Sequence, residues 1–242
     1  MCGRYRLTAK ERWLSEYFKI PAEDIEWAAR WNIAPTDEVA TIRQDRHGQK
    51  RIFAKMRWGL IPCWAKDKSF GAKAINAASE TAAEKPAFKE SMKKRRCLIP
   101  ADGFYEWKKL GSKKQPYNIG MKDDGLFAFA GLWDRWKDHE GKLIESCTIL
   151  TTIANPFLKD IHDRMPAILS PHDYDAWLDP GDDDPVHVAD LLKPFDAGLM
   201  RAHPVSSAVN SVKNDGPECA EETIATPEGS AQRKLSQLKL IL

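Results

Sequence analysis

The second residue carries the most distinctive chemistry in the chain. If Met1 is cleaved, Cys2 presents an α-amine and a thiol on adjacent carbons, which no internal cysteine can do. An α-amine titrates near about 7.7–8.0 and a thiol near about 8.5, so a useful fraction of each is nucleophilic close to neutral pH. Such a 1,2-aminothiol condenses with an aldehyde, first as a Schiff base and then, when sulfur attacks the imine, as a five-membered thiazolidine. The plain alternative is that Cys2 is a small buried residue.

Three further segments hold side chains suited to proton transfer or positioning. In Gly103-Phe104-Tyr105-Glu106-Trp107 a carboxylate lies between large aromatics. Strand alternation sends Phe104 and Glu106 to one face and Tyr105 and Trp107 to the other. A partly desolvated Glu106 would exchange protons near neutrality, whereas on an open edge it would be an ordinary solvated carboxylate. His162-Asp163-Arg164-Met165-Pro166 reads as a rigid turn in which His162 can move a proton and Arg164 can pair bidentately with a phosphate. A surface histidine beside a salt-bridged arginine is the competing reading. Asn76 stands where a strand-like approach becomes a helix, and Ser79 is the better helix cap, which leaves Asn76 to position a substrate. Pro35 and Trp64, in loop-like segments, are suited to wedging between bases or stacking on them, or to ordinary packing.

These residues need a scaffold, and the hydrophobic pattern supplies its outline. Thr8 and Glu11 form a capping-box signature, and Trp13, Leu14, Tyr17 and Phe18 share one helical face, which predicts a helix over residues 9–19. A second helix is expected from Ser79 to about Glu90, with shorter ones near Pro171 and Val186. Strand-like runs are Val39 to Arg43, Arg51 to Trp58, Arg96 to Ile99, Phe104 to Trp107, Tyr117 to Met121, Leu126 to Leu132, Ser146 to Thr152 and Leu199 to Val205. Most are joined by turn-rich connections and not by helical crossovers. The pattern therefore predicts an α+β domain with a curved, largely antiparallel sheet in preference to a doubly wound parallel one.

The chain has 242 residues with 43% apolar and 30% charged, enough to bury one sizeable core. No uncharged apolar stretch approaches the roughly 20 residues of a membrane-spanning helix. Nor does the N-terminus read as a secretory signal, so a cytoplasmic protein is expected. The five cysteines (Cys2, Cys63, Cys97, Cys147, Cys219) are odd in number and form no Cys-x-x-Cys pair. His47, His139, His172, His187 and His203 show no ligand spacing, so neither a disulfide framework nor a metal is expected. The net charge of +2 hides an asymmetry: residues 1–120 carry 25 Lys and Arg against 14 Asp and Glu, a balance of +11, and residues 121–242 a balance of −9. A basic face able to meet a polyanion follows, unless runs such as Lys93-Lys94-Arg95-Arg96 merely flank strands.

Several of these pieces occur together with Met1-Cys2-Gly3-Arg4-Tyr5, Trp31-Asn32-Ile33-Ala34-Pro35-Thr36, Arg57-Trp58-Gly59-Leu60-Ile61-Pro62 and His203-Pro204-Val205-Ser206. In order and spacing, over roughly Cys2 to Glu218, the chain resembles the SOS-response-associated peptidase (SRAP) family of abasic-site processing proteins. The resemblance implies a single compact, strand-rich α+β domain with a barrel-like sheet core and flanking helices, spanning residues 1–225 and followed by a tail at 226–242. It implies removal of Met1, binding of single-stranded DNA, and covalent linkage of Cys2 to the ring-opened sugar of an abasic site, with no metal or organic cofactor. Asn76, Glu106 and His162 would surround Cys2, and Arg4 and Arg164 would hold phosphates. Pro35 and Trp64 would bracket the strand. Where the family usually has an arginine two residues after the asparagine, this chain has Ala78, so Lys73 or Lys68 would have to supply that charge. A monomer is expected, with replication-associated proteins as further partners and no membrane. The competing readings are an N-terminal-cysteine peptidase or amidohydrolase and a non-enzymatic nucleic-acid module; peptidase activity limited to releasing Met1 or a propeptide is compatible with the abasic-site reading.

Overall fold

Two long strands organise the molecule, and in the second of them every residue from Ser146 to Thr152 is buried. A strand buried on both faces must be central in its sheet. The computed structural model describes residues 2–45, 48–182 and 184–225; the expected tail at 226–242 lies outside them, as do Met1 and His47.

In chain order the elements begin with β1 (Arg4–Leu7), α1 (Glu11–Phe18), β2 (Arg30–Ile33), β3 (Glu38–Gln44) and β4 (Arg51–Trp58). There follow β5 (Asn76–Ala78), α2 (Ser79–Ala82), α3 (Lys89–Lys94), β6 (Arg96–Ala101), β7 (Gly103–Leu110) and β8 (Lys113–Met121). The two long strands are β9 (Phe127–Lys137) and β10 (Leu143–Ile153). The remainder is β11 (Arg164–Pro166), β12 (Ile168–Leu169), α4 (Tyr174–Leu178), α5 (Pro185–Asp190) and β13 (Met200–Pro204).

The larger sheet runs β11-β10-β4-β3-β6-β9-β12, and pairing of β9 with β10 closes β10, β4, β3, β6 and β9 into a five-stranded barrel. Only the β10 pairings with β4 and β5 are parallel. The second sheet, β13-β8-β7-β1-β2, is antiparallel throughout. The α+β, mostly antiparallel, barrel-like expectation is thus met, and no helix among the described residues is long and apolar enough to cross a membrane.

The sheets share one core. Tyr5 of β1 is wholly buried and packs edge-on against Trp58 and Phe129, with ring centroids 5.4 and 5.6 Å away. The N-terminal strand is thereby anchored to barrel residues. On β7 the expected alternation holds: Phe104 joins that core against Phe129, while Tyr105 and Trp107 belong to a smaller cluster with Trp31, Val205, Val209 and Cys219. The segment after β13 folds back over this cluster. Asn32 Nδ2 donates to the carbonyls of Val209, Ser211 and Asn214, and Asp215 accepts from the amides of Trp31 and Asn32 and from Arg30.

Two helical expectations are corrected. Thr8 does not cap α1; its amide and hydroxyl both donate to Asp102 Oδ2, at 2.6 and 2.7 Å, and the helix starts at Glu11 behind Lys10, whose side chain caps nothing. The expected helix from Ser79 to Glu90 breaks into α2 and α3, because Pro86 has no amide to donate and its ring opposes the preceding turn. Ser79 is the first residue of α2, and Ala78 occupies the cap position.

Candidate active site

Cys2 sits just ahead of β1 with no exposed surface, its Sγ 3.7 Å from the Arg4 carbonyl oxygen. Pairing of β1 with β7 places Arg4 opposite Tyr105 and Tyr5 opposite Phe104. Continuing that register by one residue brings Glu106, itself buried, level with Gly3 and beside Cys2. Burial, and then the neighbouring Glu106 carboxylate, push the Cys2 thiol well above its ordinary range. The thiol is therefore neutral at physiological pH, and nucleophilic sulfur requires that its proton be taken as it attacks.

Asn76 opens β5, which pairs parallel to β10 with Asn76 opposite Ile149. Its Nδ2 donates a 2.8 Å hydrogen bond to the Cys2 carbonyl oxygen, and its Oδ1 is buried without a hydrogen-bond partner. A buried acceptor left open beside Cys2 is suited to an incoming amine or hydroxyl.

His162 lies in the turn that leads into β11, about one-third exposed. Its Nδ1 accepts from the Arg164 amide at 3.0 Å and stands 2.9 Å from Asp163 Oδ1. The strand that follows meets β10 at Thr151 to Ile153 and β5 meets it at Ile149 to Thr151, so both His162 and Asn76 lie toward the C-terminal end of β10.

The expected nucleic-acid contacts fall in different settings. Trp64 is 56% exposed and meets Phe70 edge-on at 5.4 Å, in an open depression also lined by Lys66, Asp67 and Lys73. Lys66, Lys68 and Lys73 are all exposed. This loop is held to the end of β4 by a glycine pair: Gly59 has φ of +124°, and a Cβ on it would lie 2.6 Å from the Gly71 carbonyl oxygen. No other residue fits such a backbone approach. Half-buried Pro35 lies in the β2–β3 turn, tied to the same end of β4 by the Thr36 amide bonding the Trp58 carbonyl. Arg4 is half-buried, with Nη1 donating to the Val209 carbonyl at 2.9 Å, and burial lowers its pKa.

Arg164 is engaged within the protein. Its fork is closed on Glu80, Nη1 to Oε1 at 2.7 Å and Nη2 to Oε2 at 2.9 Å, with Nη2 also donating to the Thr151 carbonyl at 2.6 Å. The fork that could hold a phosphate is occupied here by a carboxylate. Neither Glu80 nor Thr151 stood out in the sequence, where an exposed glutamate in a helical turn and one threonine among several carry no signal. A separate cavity of about 340 Å3, lined by Arg43, Lys94, Arg95, Trp133 and Arg135, holds none of these residues. Its arginines are paired, Arg43 and Arg135 with Glu145 and Arg95 with Asp134. Among the described residues no three His, Cys, Asp or Glu side chains are grouped to hold a metal ion.

What fold and site define is an α+β barrel protein with a buried thiol at its N-terminal strand, held beside a carboxamide and a carboxylate. Residues 1–212 match the family SOS response associated peptidase (SRAP), and the chain belongs to that family. It is 46% identical over 224 residues to the abasic site processing protein YoqW of Bacillus subtilis (strain 168), covering 91% of this chain and 99% of that one. It is 35% identical over 202 residues to the abasic site processing protein HMCES of Gallus gallus, covering 74% of this chain and 60% of the relative. A crystal structure of a protein from Bacteroides thetaiotaomicron superposes with a TM-score of 0.80 at 27% identity, covering 92% of this chain and all of that one.

Proposed function

We propose that this protein processes abasic sites in single-stranded DNA by forming a covalent adduct through Cys2 after loss of Met1. The observation that carries the reading is the burial of the Cys2 thiol beside Glu106, with its carbonyl held by Asn76. The relatives' names, abasic site processing protein, agree with it.

The ring-opened sugar of an abasic site offers an aldehyde. The Cys2 α-amine attacks that carbon to give a carbinolamine, which loses water to become an imine. Sulfur then attacks the imine carbon as the thiol proton leaves and the nitrogen gains a proton, closing the thiazolidine. One water is released and nothing is oxidised or reduced. Glu106 takes the thiol proton, which the raised thiol pKa makes necessary, and returns it to nitrogen. His162 serves the sugar oxygen and the departing water. Asn76 fixes the Cys2 backbone through Nδ2 and offers Oδ1 to the amine.

In this reading the strand follows the loop of Trp64, Lys68 and Lys73, with Pro35 at its border and Arg4 near the reacting sugar; a single copy suffices. Peptidase chemistry, the family's descriptor, is in this reading confined to release of Met1. Intact mass of the mature protein after mixing with abasic single-stranded DNA tests the function. A heat-stable adduct of protein plus DNA less one water is expected, and a purely non-covalent complex would overturn it.

A further inference from the structure

We propose that Glu80 is a positioning residue for the reaction: through Arg164 it ties the strand bearing Asn76 and the turn bearing His162 across β10. The inference rests on the function proposed above and adds a residue to it.

Thr151 of β10 pairs with Ala78 of β5 and with Pro166 of β11. A strand residue has only two lateral neighbours, so β5 and β11 flank β10 on opposite edges. Each flanking strand is three residues long, and a ladder of that length supplies few backbone hydrogen bonds to fix its position. The Arg164 side chain leaves β11, donates to the Thr151 carbonyl and hydroxyl at 2.6 and 3.1 Å, and closes both arms on Glu80, two residues beyond the end of β5. The Thr151 hydroxyl in turn donates to the Ala77 carbonyl at 3.4 Å. One ion pair therefore clasps the central strand from edge to edge.

Both catalytic candidates hang on this clasp. Asn76, four residues before Glu80, reaches Cys2, and the Arg164 amide orients the His162 ring through Nδ1. Bidentate Arg–carboxylate pairing fixes direction as well as distance, which a lysine or a single hydrogen bond does not. Removing Glu80 frees the guanidinium and lets the two edges of β10 shift relative to each other. A misplacement of about 1 Å in a reacting constellation costs up to about 10²-fold in rate.

The test compares the mature wild-type protein with Glu80→Gln, Glu80→Ala, Arg164→Ala and the double alanine variant. Readouts are the single-turnover crosslinking rate at saturating abasic single strand, the affinity for undamaged single strand, and the His162 ring nitrogens by 15N NMR. The expected result is a maximal rate at least tenfold lower in Glu80→Ala, smaller loss in Glu80→Gln, unchanged affinity in both Glu80 variants, and a double variant no slower than the worse single one. In the wild type the two ring nitrogens should resonate apart, and in Glu80→Ala they should average. A wild-type rate in Glu80→Ala overturns the inference, as does tighter DNA binding at an unaltered rate, which would make Glu80 a guard over a phosphate-binding Arg164. If wild type forms no crosslink, the proposed function fails, and the NMR comparison still decides the clasp: unchanged His162 signals in Glu80→Ala would overturn it.

Discussion

The carboxamide of Asn76 donates a 2.8 Å hydrogen bond to the carbonyl oxygen of Cys2, a residue 74 positions earlier in the chain. The bond sets the N-terminal backbone relative to β10, because Asn76 is itself laddered to Ile149. Asn76→Asp replaces the donor with an acceptor and adds a negative charge close to Cys2 and Glu106. Crosslinking by this variant should slow by about 10²-fold or more, the scale of removing one preorganised polar group from a reacting centre. Single-turnover rates at saturating DNA measure it, and a rate within threefold of wild type would deny Asn76 a part in the chemistry.

Replacing the sulfur separates the two bonds that the aminothiol can make. Cys2→Ser retains the amine and should give an imine that survives only after borohydride reduction, whereas the wild type gives a heat-stable adduct without it. Blocking Met1 removal, with a tag or with Glu at position 3, should abolish both adducts while leaving binding to undamaged single strands nearly unchanged. Denaturing gels with and without reductant distinguish these cases. A heat-stable adduct formed by Cys2→Ala, or by the tagged protein, would mean that another nucleophile is at work.

Glu106→Gln and His162→Ala remove the proton carriers without touching the nucleophile. Each should slow adduct formation by roughly 10²-fold, the lower end of a general acid–base contribution. The loss should appear in the rate at saturating DNA and not in affinity. If instead affinity falls and the saturated rate stays normal, the two residues serve structure.

The barrel is largely legible in the sequence, because its strands are long enough for their apolar pattern to register: Arg51–Trp58 matches residue for residue, β9 runs past its expected end to Lys137, and β10 extends its expected core at both ends. What escaped notice was short. β1 and β2 have four residues each, and β5 has three, so periodicity had too little length to register. They are also the strands that hold Cys2 and Asn76 in place. Thr8 illustrates a second limit. Its capping-box spacing is genuine, but Asp102, 94 residues away, offers one carboxylate oxygen to two of its donors and to the Ala9 amide, and that long-range contact takes precedence over the local pattern. Types of chemistry were readable residue by residue, while the engagement of Arg164 with Glu80 depended on strand order, which no local window contains.

Thiol reactivity should follow burial. Cys63 is exposed, whereas Cys2, Cys97 and Cys147 are fully buried, and burial raises all three thiols. Iodoacetamide at pH 7.5 should therefore label Cys63 first. A thiol raised in the folded state contributes stability that is fully present below the unfolded thiol's value, about 8.5, and is lost as pH rises toward the folded value. Denaturant midpoints should hold steady from pH 6 to about 8 and decline above about 9. Peptide mapping reads the first expectation and urea titrations the second. Rapid labelling of Cys2 in the folded protein at pH 7.5 would show that the thiol is ionised and contradict the part given to Glu106.

Ala78 ends β5 opposite Thr151, half-buried and two residues before Glu80. No charged side chain stands at this position, so the Ala78→Arg variant asks whether a phosphate passes this point. One extra phosphate neutralised on single-stranded DNA should steepen the dependence of log affinity on log salt by about 0.7 and tighten binding at low salt. Phosphate contacts carry no base information, so the gain should be similar across sequences, and the crosslinking rate at saturating DNA should stay near wild type. The new side chain also meets Glu80, whose carboxylate is held below the usual range by its hydrogen bonds to Arg164. Combining Ala78→Arg with Glu80→Gln separates the two fates: a steeper salt slope in the double variant alone would mean that Glu80 captures the added arginine. Equal slopes in wild type and both variants would show that Lys68 or Lys73 already fills the place, or that the strand runs elsewhere.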